Sequence, residues 1–304
     1  MFSSYSKIII IHQGALGDFL LSLPAIISIQ QHFRPSSIYW WGKSQHTFWF
    51  KKLNIPSLPS AKARLLLELF KDNYPEELEK SLIFWFKIST RSRITFSHPN
   101  IFYLYLVDEN NPKPVRSFLK EQLQKLNLPW SKNWKAPLKK EFVPPKKEKI
   151  LLFPGSGHRA KNWPLENYVK LSEKLKTYLP TFLIFGPVEQ ELYGPASLSN
   201  ILTLNSLEDL INTLQQALLV IGNDAGPLHL AGLLEIPTLT LFGPTNSLIW
   251  KPEQSEVLKS PLSCAPCSAT AQITCSKPRC LKAIKVEEVF QKTLTLLKKT
   301  SKFS

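Results

Sequence analysis

The feature that most constrains this chain is a strand–turn–helix–strand pattern over residues 218–245. An apolar run at 218–221 leads into a polar, glycine-bearing turn, and Pro227 follows at the first position of a helix, which proline favours. A second apolar run at 238–242 ends in Gly-Pro-Thr. The pattern predicts one βαβ unit with its turn at the carboxyl end of the first strand. Ligands bind at that edge of open α/β sheets, and a helix N-terminus there attracts anions.

The rest of the chain alternates short apolar runs with amphipathic segments, which predicts a mainly parallel α/β architecture. The predicted strands are residues 8–12, 37–42, 81–86, 101–107, 150–153, 181–185 and 201–204. The predicted helices are residues 19–33, 63–70, 115–126 and 165–179, one capped by Ser206, and an amphipathic tail helix at 284–299. Pro24 falls inside the first of these helices and so predicts a kink or a later start there.

A linker between two domains is indicated by a charged, proline-rich segment at 137–149. The chain of 304 residues is long enough to form two cores. Two such domains leave a cleft between them, and clefts between domains are preferred ligand sites. The sequence predicts an N-terminal Rossmann-like domain at residues 1–145 and a C-terminal Rossmann-like domain at residues 146–283. A last helix is predicted at residues 284–304.

Composition indicates a globular protein of the cytoplasm, since 43% of the residues are hydrophobic and 20% are charged. No run approaches the roughly 18 apolar residues of a membrane helix. The N-terminus lacks the pattern of a signal peptide, because its apolar run is short and Asp18 interrupts the next stretch.

Positive charge is concentrated in the first half of the chain. The net charge is +15, and residues 1–148 hold 22 Lys and Arg against 11 Asp and Glu. Such an excess favours an anionic partner, such as nucleic acid, a membrane surface or a phosphorylated substrate. The alternative is that these charges only keep the protein surface soluble. Nucleic acid is the weakest of these interpretations because no nucleic-acid-binding motif occurs.

Two predicted strand–helix turns carry residues suited to a diphosphate. The first contains Ser156 between two glycines and is followed by Lys161, and the second runs from Asp224 to Gly226. Small residues allow close backbone approach, and helix N-termini and a lysine offset negative charge. Neither turn matches a standard nucleotide-binding fingerprint, so ordinary connecting turns explain them equally well.

Three other side chains have both a chemical and a structural interpretation. Asp18 follows the first strand, where a carboxylate serves as a general base or caps the following helix. Asp224 binds sugar hydroxyls or caps its own helix. His229 lies within a predicted helix, where a histidine hydrogen-bonded to a carbonyl is common in cores.

All four cysteines lie in one predicted loop, residues 264–280, with the spacing C-x2-C-x7-C-x4-C. In a cytoplasmic protein this clustering favours a structural zinc site with four thiolate ligands. Disulfides and free thiols remain open because the spacing is shorter than that of the usual two-knuckle zinc site. The proposed ligands are Cys264, Cys267, Cys275 and Cys280.

Three stretches together resemble glycosyltransferase family 9, the heptosyltransferases that use ADP-heptose. They are G-A-L-G-D-F-L-L-S-L-P at 14–24, F-P-G-S-G-H-R-A-K-N-W-P at 153–164, and the motif at 222–245, in the family's order. The resemblance implies a GT-B fold of two Rossmann-like domains facing each other across a cleft. The N-terminal domain would bind the acceptor and the C-terminal domain the nucleotide sugar, with the last helix packing back towards the first domain.

The activity that the resemblance implies is inverting transfer of heptose from ADP-heptose to a lipopolysaccharide core or related anionic glycan. No metal would act at the reacting centre. The acceptor would be lipid-linked, so peripheral contact with the inner membrane is expected, and nucleic acid is not. The alternatives are a GT-B-type nucleotide-sugar epimerase and a non-catalytic nucleotide-sugar or glycan-binding protein.

The resemblance also implies roles for individual residues. Asp18 matches the general base, within an acceptor-side loop formed by Gly14, Ala15, Leu16 and Gly17. The matches to the donor-binding residues are Ser156, Gly157, Lys161, Glu189, Asp224, Ala225, Gly226 and His229. Ala225 departs from the family's usual serine or threonine. No motif of the family is identified within residues 40–145. The aromatics of this region either pack in the core or contact the acceptor: Trp40, Trp41, Trp49, Trp85 and Phe86.

Overall fold

Two parallel sheets organise the chain, one in each of the units formed by residues 1–141 and 142–304. The computed structural model describes residues 5–33, 37–71, 73–92, 97–139, 148–193, 200–270, 273 and 275–299. The prediction of a parallel α/β class is confirmed in both units. Among the described residues no helix combines the length and the apolar composition needed to cross a bilayer.

The sheet of the first unit has the strand order β2-β1-β3-β4, so β1 lies in its interior. Its strands are β1 Lys7–His12, β2 Ser37–Gly42, β3 Ser81–Ser89 and β4 Ile101–Val107. The helices are α1 Leu16–His32, α2 Thr47–Lys52, α3 Ser60–Glu68, α4 Val115–Lys125 and α5 Ala136–Lys139. Four consecutive isoleucines make β1 apolar on both faces, as an interior parallel strand requires.

The first helix begins earlier than the sequence predicts. α1 starts at Leu16, and Pro24 lies inside it, so the interpretation of a later start is wrong. The Asp18 carboxylate accepts a hydrogen bond from the backbone N–H of Ala15 and thereby satisfies one donor at the helix start.

Four of the five aromatic residues singled out in residues 40–145 belong to the core. Trp40, Trp49, Trp85 and Phe86 are buried, whereas Trp41 is half-buried. Core packing is therefore the correct interpretation of the four buried rings.

The sheet of the second unit has the order β10-β9-β8-β5-β6-β7. Its strands are β5 Lys149–Phe153, β6 Thr181–Phe185, β7 Ile201–Thr203, β8 Ala217–Asn223, β9 Thr238–Phe242 and β10 Ser255–Lys259. The helices are α6 Leu165–Leu175, α7 Pro187–Tyr193, α8 Leu207–Gln215, α9 Gly226–Leu233, α10 Ser247–Trp250 and α11 Val286–Lys299. The predicted βαβ unit is the segment β8–α9–β9, and β8 and β9 pair in parallel.

The last helix packs on α6 within the second unit. Val289 and Phe290 join the core of that unit, and Lys174 pairs with Glu287 at 2.8 Å. The indole N–H of Trp163 also donates to the carbonyl of Ile284, just before the helix, at 2.9 Å. The expectation that this helix extends towards the first domain stays a prediction.

Candidate active site

Two loops of the second unit lie side by side because the strands that precede them are neighbours. β5 and β8 pair in parallel, with Phe153 opposite Gly222. The loop after β5 covers residues 154–164, and the loop after β8 covers residues 224–225. Both therefore leave the sheet at its carboxyl edge, where parallel sheets bind ligands.

Asn223, the last residue of β8, connects these loops. It is fully buried, and its Oδ1 accepts from the backbone N–H of Trp163 at 2.9 Å and the hydroxyl of Tyr168 at 3.0 Å. Its amide donates to the carbonyl of Pro154 at 2.7 Å. A buried amide with three partners fixes one loop against the other. The sequence analysis missed this residue, although a polar side chain ending an apolar strand was a signal for it.

Lys161 and Asp224 form an ion pair between the same loops. The ammonium of Lys161 donates to the Asp224 carbonyl oxygen at 2.8 Å and lies 3.2 Å from Oδ2. The two side chains are only 12% and 8% exposed. An ammonium has three N–H donors, so one remains for a phosphate oxygen.

The Asp224 carboxylate is enclosed by hydrogen-bond donors. The hydroxyl of Thr245 donates to Oδ2 at 2.8 Å, and His229 Nε2 lies 3.8 Å from Oδ1. Burial alone would raise the pKa of Asp224, but the charge of Lys161, followed by His229 and Thr245, lowers it to about 2. The carboxylate is therefore ionised at neutral pH and anchors the Lys161 cation.

The loop after β5 is organised by Ser156. Its hydroxyl donates to the carbonyl of His158 at 2.9 Å and lies 2.6 Å from Asn162 Oδ1. A Cβ placed on Gly157 would meet no atom within 4 Å. The backbone at Gly157 therefore faces open space, and a ligand can approach it closely.

Glu189 reaches this loop from the first turn of α7. Its Oε2 accepts from the backbone N–H of Gly186 at 2.9 Å. A Cβ at Gly155 would overlap the Glu189 carboxylate, so a larger residue there would displace the end of that side chain. The structure thus places Glu189 beside the loop of Ser156, and its role towards a donor stays a prediction.

The N-terminus of α9 completes this edge of the sheet. Gly226 is its first residue, and Pro227 stands at the second position, one later than predicted. The N-cap residue, Ala225, supplies no side-chain acceptor. Pro227 has no N–H, and Leu228 and His229 both donate to the Ala225 carbonyl oxygen, at 3.1 and 3.4 Å. The Gly226 N–H of this turn is therefore left to a ligand or to water, and a negative charge is stabilised there.

In the first unit, Asp18 lies in the first turn of α1, which follows the loop at the carboxyl end of β1. Oδ2 of Asp18 accepts from the Ala15 N–H at 2.8 Å, so the residue caps its helix as one interpretation predicts. The side chain is partly exposed, which leaves the carboxylate accessible as well. A cap and a base are therefore compatible in one residue.

Two buried histidines support this loop. The ring of His46 stacks on Phe19 at 4.2 Å, and its Nε2 lies 3.1 Å from the carbonyl oxygen of Gly14. His12 lies edge-on to His46 at 5.4 Å. Nδ1 of each ring lacks a hydrogen-bond partner in the described part of the chain. Burial lowers the pKa of His12 to about 3 and that of His46 to about 4.

Acid should weaken the first unit through these histidines. Each is neutral in the fold and binds a proton on unfolding, so the free energy of unfolding falls as the pH falls from 6.5 towards 4. The expected slope is about 1.4 kcal/mol per pH unit for each histidine. Urea unfolding across this range measures it. His46→Gln cannot titrate and should show a clearly smaller slope than the wild type; an equal slope would contradict this account.

The four cysteines are all reduced thiols, three exposed and one buried. Cys280 lies against Gly243, and burial raises the pKa of its thiol, with Cys267 and Cys264 adding to the effect. Among the described residues, no three His, Cys, Asp or Glu side chains are arranged to hold a metal ion. Zinc stays a prediction that elemental analysis of the purified protein tests.

Comparison with known proteins shows the family of this chain. The family model described as "Glycosyltransferase family 9 (heptosyltransferase)" matches residues 116–281, more than half of the chain. The chain belongs to glycosyltransferase family 9. This glycosyltransferase is 27% identical to the lipooligosaccharide heptosyltransferase 2 of Campylobacter jejuni, over 93% of this chain and 96% of the relative. The family resemblance inferred from the three motifs is confirmed.

Solved structures show the same fold. A family 9 glycosyltransferase from Veillonella parvula is 17% identical, with a TM-score of 0.70 over 98% of this chain and 99% of that one. An E. coli heptosyltransferase solved with ADP-2-deoxy-2-fluoro heptose is 15% identical, with a TM-score of 0.63 over 95% and 99%. The predicted GT-B fold is thereby confirmed.

Proposed function

We propose that this family 9 glycosyltransferase transfers a heptose from ADP-heptose to an anionic, lipid-linked glycan of the lipopolysaccharide or lipooligosaccharide core. The observation that carries the proposal is the buried Lys161–Asp224 pair, which joins two loops at one sheet edge. The heptosyltransferases among the relatives and solved structures support ADP-heptose as the donor.

On the acceptor side, Asp18 acts as the general base. Its partly exposed carboxylate takes the proton from an acceptor hydroxyl as the hydroxyl oxygen attacks the anomeric carbon. The bond between that carbon and the diphosphate oxygen breaks as the new bond forms on the opposite face. The configuration is therefore inverted, and ADP leaves.

On the donor side, the second unit stabilises the departing diphosphate. The open backbone at Gly157, the start of α9 and the remaining donor of Lys161 all suit phosphate oxygens. These groups supply positive potential from the chain itself, so we propose that no metal acts at the reacting centre. Glu189, beside Gly155, is proposed to bind a polar group of the donor.

The excess of basic residues in the first half of the chain supports an anionic acceptor at a membrane surface. We therefore propose that the enzyme works at the cytoplasmic face of the inner membrane, in peripheral contact with it.

Lys161→Ala should weaken ADP binding about 10- to 150-fold, the equivalent of one charge-assisted hydrogen bond. Calorimetric titration with ADP measures the change, at a temperature where circular dichroism shows the variant folded. The matched control is Lys170→Ala, an exposed lysine on α6. Equal ADP affinity in both variants would remove Lys161 from the donor site.

The donor is tested by thermal-shift titration with ADP, UDP, GDP and their sugar conjugates. Stabilisation grows with the ratio of ligand concentration to dissociation constant, so the preferred nucleotide gives the largest shift. A preference for ADP and ADP-heptose is expected. A preference for UDP or GDP would exclude heptose from ADP-heptose as the substrate.

A further inference from the structure

A lysine lies on aromatic rings at the carboxyl end of β3. The ammonium of Lys87 is 4.0 Å from the ring centroid of Trp85 and 5.7 Å from that of Tyr103. Tyr103 stacks against Trp85 at 5.7 Å, and Tyr105 follows at 6.4 Å from Tyr103. Trp85 is buried, whereas the other three side chains are half-buried. We call these four residues the lysine–aromatic cluster.

The charge of Lys87 is not balanced by a carboxylate in the described part of the chain. Other cations of this unit do have partners: Arg91 pairs with Glu109 at 3.3 Å, and Lys113 pairs with Glu121 at 2.7 Å. Glu109 also accepts a hydrogen bond from the hydroxyl of Ser89. Burial lowers the pKa of Lys87, which shows that its surroundings disfavour the charged form. An anionic ligand would offset that cost.

The cluster lies at the same sheet edge as the loop of Asp18. β1 and β3 are paired neighbours, with His12 opposite Phe86. Lys87 and Gln13 are the next residues along the two chains, so their backbones lie about one strand spacing, roughly 4.8 Å, apart. Gln13 begins the loop that leads to Asp18. A group bound at Lys87 therefore lies at the same edge of the sheet as the loop that leads to the proposed base.

We propose that the lysine–aromatic cluster binds the carboxylate or phosphate of an anionic saccharide, with a sugar ring against the faces of Tyr103 and Tyr105. The ammonium pairs with the anion, and the half-buried rings offer apolar surface to the C–H groups of the sugar. The inference rests on the proposed function in that this saccharide is the acceptor. It assigns the acceptor's charged group to Lys87.

If Lys87 had a purely structural role, its substitutions would have different effects. Lysine stems often cover apolar rings while the charge stays in water, and Trp85 is such a ring. In that role the four-carbon stem matters and the charge does not. Lys87→Met keeps an apolar stem without the charge, whereas Lys87→Arg keeps the charge, so the two variants separate these roles.

Binding is measured first, by calorimetry without donor, using Kdo as a carboxylated sugar, glucose 6-phosphate as a phosphorylated sugar and glucose as the neutral probe. We expect the wild type and Lys87→Arg to bind at least one anionic sugar about tenfold more tightly than glucose. Lys87→Met should lose that preference, whereas Lys125→Met, at an exposed position on α4, should keep it. The two anionic probes decide between carboxylate and phosphate.

Turnover provides the second readout. Lys87→Met should raise the KM for the anionic acceptor about tenfold and leave the KM for the donor unchanged. The assignment would be overturned if Lys87→Met and Lys87→Arg had the same sugar affinities and the same acceptor KM. It would also be overturned if the wild type showed no preference for anionic sugars. Sugar binding at Lys87 without any glycosyl transfer would instead reject the proposed function alone. Transfer with an unchanged acceptor KM in Lys87→Met would reject this site alone.

Discussion

Asp18→Asn should lower kcat about 10²- to 10⁴-fold, because it removes the proposed general base. Asparagine retains an oxygen that can accept the Ala15 N–H bond, so the helix cap survives the change. Donor affinity and thermal stability should therefore stay close to those of the wild type. Steady-state kinetics with saturating donor, together with ADP titration, measure the two effects separately.

Asp18→Ala supplies the matched comparison, because it removes both the base and the cap. Its kcat should fall to a similar extent. Loss of the cap should also lower the free energy of unfolding by about 1 kcal/mol, so this variant should melt at a lower temperature. If Asp18→Asn turns over normally, the residue is only a cap. If Asp18→Asn loses donor affinity, the residue contacts the donor, and the assignment as base fails.

Asp224→Asn should destabilise the second unit by about 3–5 kcal/mol, because it leaves the Lys161 charge buried without a counter-ion. In a unit of this size that loss lowers the melting temperature by roughly 10 °C. The same variant should bind ADP weakly, since the two donor loops lose the pair that joins them. Thermal unfolding and ADP titration measure both effects.

The control for Asp224 is Asp209→Asn, which alters an exposed helix-capping carboxylate. Asparagine keeps an oxygen that can accept a backbone N–H bond, so this variant should stay close to the wild type in stability. The double variant Lys161→Met with Asp224→Asn should recover part of the lost stability, because both buried charges are then gone. In acid, the wild type should lose the contribution of Asp224 as the pH falls from about 4 towards 2, since its folded pKa is depressed. An Asp224→Asn variant as stable as Asp209→Asn would show that the pair contributes little.

Local sequence patterns were sufficient to predict the segment β8–α9–β9. Its strands are uninterrupted apolar runs, its turn contains glycine, and Pro227 marks the start of its helix. Such signals act over a few residues, so they can be recognised without knowledge of the tertiary structure. Local patterns were also sufficient to predict β1 and most other strands.

Long-range contacts of the site were not predictable in this way. Lys161 and Asp224 are 63 residues apart, and Asn223 and Trp163 are 60 apart, so only the pairing of β5 with β8 brings them together. The sequence suggested that Lys161 faces a phosphate, whereas the structure shows most of its hydrogen bonding directed to Asp224. The contact of Thr245 with Asp224 was equally unpredictable, because its hydroxyl donates to Asp224 from the segment that follows β9.

Element ends were the weaker part of the fold prediction. α6 ends at Leu175, four residues before the predicted end, and α7 was not predicted at all. Both segments contain apolar residues at helical spacing, and tertiary packing decides where the hydrogen bonding stops. The lysine–aromatic cluster was likewise invisible, since Lys87 and Tyr103 meet only through the pairing of β3 with β4.

The most direct test of the central claim is a transfer assay with purified protein, ADP-heptose and a Kdo-bearing lipid-linked acceptor. Mass spectrometry follows the glycan, and chromatography follows released ADP. The account predicts one heptose added to the acceptor for each ADP released, with the opposite anomeric configuration to the donor. ADP-heptose that is hydrolysed or epimerised without any addition to the acceptor, or transfer only from a UDP or GDP sugar, would contradict it.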